Sequence, residues 1–232
     1  MRFERLAGAA AVAFCAAVGA ASASPVITIV APGSFSLLNL GSGTADSRQS
    51  TTSPINVNSG GITTITFSGG CSSAGCEPSG VYAGNRSDSA SPFGPGDSTT
   101  NYLVAQPGTA GVDNVTVNYA TPQTSLDILW GTVDLDQAAS GHYNLVTAAG
   151  QQITGNDILA VAGGPSGSQN LWVAITGLAP FTSFVAEDDA PNPSAFEFMP
   201  AVAVNVPEPA SLAIVGAALA AAGLIRRRRK SA

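Results

Sequence analysis

Cationic side chains are nearly absent from the body of this 232-residue chain, residues 24–205. Most of its nine lysines and arginines lie near the two termini, which leaves only Arg48 and Arg86 in the body. Of fifteen acidic residues, Glu4 and Glu208 lie outside the body, so two positive and thirteen negative charges give it a net charge of −11. Phosphate binding needs clustered cations, so this composition excludes a nucleic-acid-binding protein and a body that adheres to anionic membranes.

Cysteine and histidine are equally scarce. Cys15 belongs to the apolar N-terminal stretch, so Cys71 and Cys76 are the cysteines of the body. In an oxidising compartment they favour a local disulfide across a flexible loop, a ring that contributes about 2 kcal/mol, with a redox or metal pair as the alternative. His142 is the single histidine. We interpret it as a strand-edge residue, since no nucleophile motif accompanies it.

The N-terminus has the pattern of a secretory signal peptide. Arg2 and Arg5 precede an apolar stretch over residues 6–20, and Ala21 and Ala23 form a small-x-small cleavage signature. We expect cleavage after Ala23 by signal peptidase. A permanent N-terminal anchor is the alternative.

The C-terminus combines three features in a fixed order. Pro207, Glu208 and Pro209 form a stiff tripeptide, because each proline fixes its own φ and biases the preceding residue towards extended conformations. An apolar run follows over residues 210–225, whose helical length of about 24 Å is a marginal match to a hydrocarbon core of about 30 Å. A basic stop ends the tail and predicts a cytoplasmic C-terminus: Arg226, Arg227, Arg228, Arg229 and Lys230.

In this order the three features resemble the PEP-CTERM sorting signal of Gram-negative bacteria. The resemblance implies that exosortase, a membrane-embedded transpeptidase-like enzyme, recognises Pro207, Glu208 and Pro209. It implies that the chain is anchored in the membrane before processing and that the body is then released or attached at the cell surface.

Three segments follow from this reading: a signal peptide over residues 1–23, a secreted domain over residues 24–205 and a sorting signal over residues 206–232. The secreted domain has short β-rich runs separated by Gly, Pro, Ser, Asn and Asp, and no segment of helical length with a sustained 3.6-residue period. We therefore predict an all-β fold, a single jelly-roll-like β-sandwich. The predicted strands cover residues 26–30, 62–67, 102–105, 114–119, 125–130, 143–147, 171–175, 183–186 and 195–199, with long loops at 41–61 and 84–100.

Three blocks of the body resemble a family of exosortase-dependent surface proteins. They lie at residues 101–108, at residues 129–134 with the sequence Leu-Trp-Gly-Thr-Val-Asp, and at residues 195–198 with the sequence Ala-Phe-Glu-Phe. This resemblance implies a secreted β domain sorted to the surface and no particular activity.

Acidic clusters are the candidate metal ligands. They comprise two groups: Asp134 and Asp136, and Glu187, Asp188 and Asp189. Calcium prefers six to eight oxygen ligands, but neither group matches the spacing of an EF-hand or of a glycine-rich calcium repeat. We expect no resident cofactor, with calcium binding and solvated loop acids as the two interpretations of these clusters.

Aromatic side chains offer a second candidate site. Trp130, Trp172 and Tyr143 are able to stack on sugar rings if they are exposed, although aromatic residues in strands more often belong to the core. The sequence thus predicts a non-catalytic, exosortase-dependent surface or extracellular-matrix protein, retained at the cell surface or in exopolysaccharide. A secreted carbohydrate-binding module is the alternative, and a hydrolase the third reading.

Overall fold

The computed structural model describes residues 24–41, 54–68, 79–85, 89–106, 113–136, 144–164, 170–189 and 195–202. These ranges contain twelve strands and one helix. In chain order they are β1 Val26–Val30, β2 Ile55–Ser59, β3 Ile62–Ser68, β4 Gly80–Ala83, β5 Asn101–Ala105, β6 Asp113–Gln123, β7 Leu126–Trp130, β8 Leu145–Ala148, β9 Gln151–Thr154, α1 Gly155–Ala162, β10 Leu171–Thr176, β11 Phe181–Asp188 and β12 Phe196–Pro200.

The strands form two antiparallel six-stranded sheets packed as a sandwich. Sheet one has the order β1-β10-β7-β12-β5-β4, and sheet two has the order β2-β3-β6-β11-β8-β9. Neighbours in a sheet are often distant in sequence, and β12 lies between β7 and β5. The predicted all-β sandwich is confirmed.

Alternation along the strands places the core between the sheets. Val115 and Val117 on β6 are fully buried, and their polar neighbours Thr116 and Asn118 are only partly buried. The two sheets meet where Phe184 of sheet two lies against Phe198 of sheet one, with ring centroids 6.2 Å apart. Phe198 also faces Trp130 in register across β12 and β7, so large aromatic side chains fill the centre of the sandwich.

Sheet one is also covered on its outer face. Tyr82, Tyr102 and Glu197 lie on this face and are almost completely buried, because residues 89–100 and 35–41 fold across it. The Tyr102 hydroxyl donates a hydrogen bond to the carbonyl oxygen of Gly84 at 2.6 Å. The predicted loop at residues 84–100 is therefore a packed covering layer where the structure describes it.

Helix α1 begins at a capping box. The Thr154 side chain accepts a hydrogen bond from the backbone N–H of Asp157, whose carboxylate accepts from the backbone N–H of Thr154 at 2.9 Å. Gly155 lies so close to the chain after β7 that an added Cβ would overlap the carbonyl oxygen of Asp134. The predicted all-β domain did not include this short helix, because eight residues are too few to show a sustained 3.6-residue pattern.

Two further expectations about local structure need correction. β2 lies inside residues 41–61, which were predicted to be a loop, and β4 and β9 were not predicted at all. These are edge strands of only four or five residues. Ile55 and Val57 alternate with asparagines in β2, a short pattern inside a segment rich in Ser, Thr and Gly, whereas β4 and β9 show no alternation that would indicate a strand.

Strand register gives the sandwich two distinct ends. The chain leaves sheet one at Val202, beside the turn at residues 58–61 and beside residues 36–38. We call this the exit end. The opposite end carries residues 131–136 after β7 and residues 187–189 at the close of β11, and we call it the far end.

Candidate functional site

Most residues of the predicted processing sites lie outside the described residues. This applies to the sorting tripeptide at residues 207–209, the basic stop at residues 226–230, the cleavage residues Ala21 and Ala23, and the cysteines Cys71 and Cys76. His142 and Tyr143 also lie outside them. Their roles stay predictions from the sequence.

Both predicted acidic clusters lie at the far end of the sandwich. The backbone N–H of Asp134 donates to the side-chain oxygen of Asn144 at 2.7 Å, and that of Asp136 donates to the side-chain oxygen of Asn156 at 3.1 Å. Asp188 is fully buried at the end of β11. Among the described residues, no three His, Cys, Asp or Glu side chains come together as a metal site. Calcium binding by these clusters stays an untested prediction.

The three sequence blocks become neighbours in sheet one. They contain all of β5, the end of β7 and the beginning of β12, and β12 lies between the other two strands. Phe198 pairs with Trp130 on one side and with Leu103 on the other, and Glu197 pairs with Val104. Blocks separated by up to about a hundred positions thus form one continuous surface, as long-range strand pairing allows.

A buried carboxyl group lies at the centre of that surface. Glu197 is 2% exposed, and its Oε1 accepts a hydrogen bond from the backbone N–H of Ala90 at 2.8 Å. Among the described residues, Oε2 has no hydrogen-bond partner of good geometry. The Thr132 hydroxyl lies nearby and acts to lower the pKa of Glu197 slightly. Burial, with a smaller contribution from Asp134, raises the pKa of Glu197 to about 8.

Several backbone contacts hold the surroundings of Glu197 in place. The N–H of Gly131 donates to the carbonyl oxygen of Glu197 at 2.8 Å, and an added Cβ on Gly131 would lie 2.7 Å from the same oxygen. Thr132 has a positive φ of 37°, which few residues other than glycine adopt. The side chain of Asn170 accepts from the N–H of Thr132 at 2.9 Å and donates to the carbonyl oxygen of Ser91 at 3.4 Å.

This arrangement fastens the covering loop to the sheet. Glu197 binds the loop directly at Ala90, and Asn170 bridges the loop to the chain after β7. Glu197 was not among the functional residues predicted from the sequence. The available signal was a glutamate inside the otherwise apolar strand Phe196–Pro200, since such a residue is buried only with a specific partner.

An open cleft of about 460 Å³ lies towards the exit end. Its walls combine apolar side chains with amides and a hydroxyl, as follows: Leu37, Leu38, Asn39, Leu40, Gly41, Phe93, Thr100 and Asn101. The side-chain amide of Asn101 donates to the carbonyl oxygen of Leu40 at 3.1 Å. Its Oδ1 is buried without a hydrogen-bond partner in the described part of the chain. The cleft therefore combines a half-buried aromatic ring, Phe93, with polar side chains in its walls.

The predicted aromatic platform does not form. Trp130 is fully buried and packs on Phe196 with ring centroids 4.7 Å apart, so it belongs to the core. Trp172 lies on the outer face of sheet one, half-buried and covered by Phe35 at 4.8 Å. A sugar therefore cannot stack on the two rings together, because one of them has no exposed face.

Within the ranges that the structure describes, no helix has the length and apolar character needed to cross a membrane. The predicted membrane run at residues 210–225 falls outside those ranges.

Comparison of the chain with curated proteins and with solved structures gave no significant match. Comparison with family models matched residues 205–230 to the PEP-CTERM protein-sorting motif. The matched residues include the Pro-Glu-Pro tripeptide, the apolar run and the basic stop, in agreement with the resemblance described above. The chain thus carries a PEP-CTERM protein-sorting motif at its C-terminus, which implies an exosortase-sorted protein of the cell surface.

Proposed function

We propose that this protein is a non-catalytic structural component of the cell surface or extracellular matrix. In this proposal the chain is secreted, signal peptidase removes residues 1–23, and exosortase processes the tail at Pro207, Glu208 and Pro209. The acidic sandwich is then retained at the surface or within exopolysaccharide. The match of residues 205–230 to the sorting motif is the observation that carries the proposal.

The described body supports a structural role in two ways. Its buried carboxyl, Glu197, is bound to the covering loop and does not face the open cleft. Its net charge of −11, from two cations and thirteen acids, favours a hydrated protein that stays soluble among extracellular polymers.

Processing is tested by expressing the full chain in matched strains with and without an exosortase. We expect a shortened product only where the enzyme is present, detected by immunoblotting with an antibody against the body. Glu208→Ala removes the carboxylate between the two prolines and should leave the chain full-length. Ser231→Ala, outside the matched residues, is the control and should be processed normally. Full-length chain in both strains would refute the sorting proposal.

Retention is tested separately by fractionating cells, exopolysaccharide and medium. The matrix role predicts that the processed body remains with the cells or the polysaccharide, and that it enters the medium in a strain unable to make exopolysaccharide. Equal amounts in the medium of both strains would contradict retention by polysaccharide.

A carbohydrate-binding module is the second candidate, and the cleft beside Phe93 and Asn101 is the observation that favours it. Sugar sites commonly combine an aromatic face with side-chain amides and hydroxyls, and Phe93, Asn39 and Thr100 line this cleft. Binding on a glycan array that is lost in Phe93→Ala and kept in Trp172→Ala would support this function. If the array shows no binding, the structural role remains the proposed function.

A further inference from the structure

The two sheets have four edge strands, and three of them carry a feature that hinders pairing with another molecule. In β2 the register with β3 shifts between Asn56 and Ser59, and Asn58 has a positive φ of 47°. All residues of β4 are buried, and β9 is a short, mostly polar strand that leads directly into α1. Irregular register, coverage and polar side chains are devices by which proteins prevent pairing at a sheet edge.

The edge strand β1 lacks these devices. Its residues Val26–Val30 pair with β10 in a continuous register without a bulge. The strand has the sequence Val-Ile-Thr-Ile-Val, without charge or proline, and all of its side chains are β-branched and favour extended structure. Val26 is 58% exposed, and Thr28 is exposed as well. An uncharged edge of this kind is a template on which a further strand can pair.

The backbone of β1 has hydrogen-bonding groups on the side away from β10. In an antiparallel pair, residues that bond to the partner strand alternate with residues whose N–H and C=O groups point away from it. Among the described residues, no element other than β10 makes a hydrogen bond to β1, although α1 contacts the strand. Ile27 and Ile29 pack against the core at the same time. The strand is therefore held in place while its outer edge stays unpaired.

The sequence of β1 reads the same in both directions, which makes the strand complementary to itself. If two copies pair antiparallel about a two-fold axis at Thr28, Val26 lies opposite Val30 of the second copy and Ile27 lies opposite Ile29. Paired residues point to the same face, so the inward face of Ile27 and Ile29 continues into the second copy. A shift of the register by one residue would instead place inward side chains beside outward ones.

The charge distribution makes this edge a favourable place for contact between two copies. The body has a net charge of −11, so two copies repel one another in most orientations. Residues 24–41, which include β1, have no charged side chain, and neither does the neighbouring strand β10. The helix α1 has one, Asp157. Two copies that meet at β1 therefore place no carboxylate on the paired strands or on the strands next to them.

Exposed apolar side chains lie at the same edge. The described part of the chain exposes three large apolar side chains, and two of them, Val26 and Val161, lie on β1 and on the helix that contacts it. Pairing of two copies would cover Val26, because it lies on the paired strand. The hydrophobic effect therefore favours association at this edge.

We propose that the free edge of β1 is a self-association surface, at which two copies of this chain pair antiparallel about Thr28. Sheet one of each copy has six strands, so the pair forms one continuous sheet of twelve strands. The interface uses the same strand on both copies and therefore closes at a dimer. This proposal goes beyond the proposed function and does not depend on the sorting tail.

Disulfide trapping in the full chain after signal-peptide removal, purified in detergent, tests the pairing. Residues directly opposite on antiparallel strands have Cα atoms about 4.5–5.5 Å apart, a distance that a disulfide can span. Thr28→Cys lies on the two-fold axis, so oxidation should link residue 28 to residue 28 of the second copy. Asn56→Cys is the control, because Asn56 is also an exposed residue of an edge strand, β2. We expect several-fold more linked dimer for Thr28→Cys, with the link identified by peptide mass spectrometry.

Val26→Cys and Val30→Cys test the register. In either variant alone, the two introduced thiols are four positions apart, about 13 Å along the strand at a rise of about 3.3 Å per residue, which is too far for a disulfide. An equal mixture of the two variants should give a linked dimer, because residue 26 of one copy then lies opposite residue 30 of the other. Links that form as readily in the separate variants as in the mixture would overturn the proposal.

A charge on the two-fold axis provides a further test. Thr28→Lys, added to both thiol variants, should abolish the mixed link, because two like charges directly opposite one another oppose pairing. Thr182→Lys makes the same change at an exposed threonine of β11, a strand inside sheet two, and should leave the link unchanged. Equal loss of the link with both lysines would contradict pairing at Thr28.

Two other results would also overturn the proposal. One is equal trapping of dimer by Thr28→Cys and Asn56→Cys, which would show unspecific contact. The other is a link from residue 28 to a different protein, and none to a second copy, when Thr28→Cys is oxidised in the exporting cell. That result would assign the edge of β1 to a strand of another protein.

Discussion

Replacing Glu197 with glutamine is expected to change the way in which the stability of the sandwich depends on pH. The carboxyl is 2% exposed, and the described chain has no cation to pair with it. Glutamine has nearly the same shape and keeps an oxygen for the N–H of Ala90, but it cannot ionise. The substitution therefore removes the ionisation and little else.

The magnitude follows from the two pKa values. Burial, the largest cause, raises the pKa of Glu197 in the folded protein from 4.5 to about 8. The folded state thus holds this proton more tightly than the unfolded state, so the protonated carboxyl stabilises the fold fully below about pH 4.5. That contribution is lost as the pH rises towards 8, at about 1.4 kcal/mol per unit, or up to about 5 kcal/mol in total.

Urea unfolding of residues 24–205, followed by tryptophan fluorescence at pH 5, 7 and 8.5, measures this effect. We expect Glu197→Gln and the natural sequence to differ little at pH 5, and the variant to be more stable by several kcal/mol at pH 8.5. A stability difference that is the same at pH 5 and pH 8.5 would show that Glu197 is ordinarily ionised, and would refute the reasoning.

Asp97 provides a control of opposite sign. Burial acts to raise the pKa of Asp97, but hydrogen bonds from Thr100 and Thr99 outweigh it and hold that pKa below its usual value. Its stabilising contribution is therefore present at neutral pH and is lost as the pH falls. Asp97→Asn should destabilise the sandwich at pH 7, and the loss should disappear in acid.

Three further predictions concern the packing and the disulfide. Gly155→Ala should lower the free energy of unfolding by more than about 2 kcal/mol, because the new methyl group overlaps the carbonyl oxygen of Asp134, whereas Gly96→Ala, with open space around it, should change little in the same urea assay. Thr154→Ala should cost about 1 kcal/mol through loss of the cap of α1, and unchanged unfolding midpoints would contradict the capping box. Thiol titration of the denatured, unreduced secreted protein should find no free thiol if Cys71 and Cys76 form the predicted disulfide, and reduction should lower stability by about 2 kcal/mol.

The strands that the sequence predicted correctly have either alternating apolar residues or short apolar runs. β6 is the clearest case, because Val115 and Val117 face the core and the intervening polar residues do not. The short edge strands β4 and β9 have no such pattern, and they are strands because a neighbouring strand pairs with them. β2 alternates over only four residues, Ile-Asn-Val-Asn, inside a segment with the composition of a loop. The cap residues Thr154 and Asp157 signal the start of α1, but eight helical residues leave no periodicity to detect.

In the candidate sites too, some properties could not be predicted from the sequence. Trp130 was a possible sugar platform by residue type, and only the pairing of β7 with β12 buries it against Phe196. The sequence does not distinguish Glu197 from the other acids, and it is the covering loop that buries this side chain. In both cases the burial of the side chain depends on residues far away in the sequence, so no local sequence pattern predicts it.

The sequence by itself determined how this protein is sorted, because another protein recognises a sorting signal as a linear segment. The tripeptide, the apolar run and the basic stop at residues 205–230 carry that information without the fold. The tertiary structure decided the buried state of Glu197, the covering of sheet one and the unpaired edge of β1. These properties arise where strands distant in sequence become neighbours, and the physical reason is that burial and strand pairing depend on the packed arrangement rather than on order along the chain.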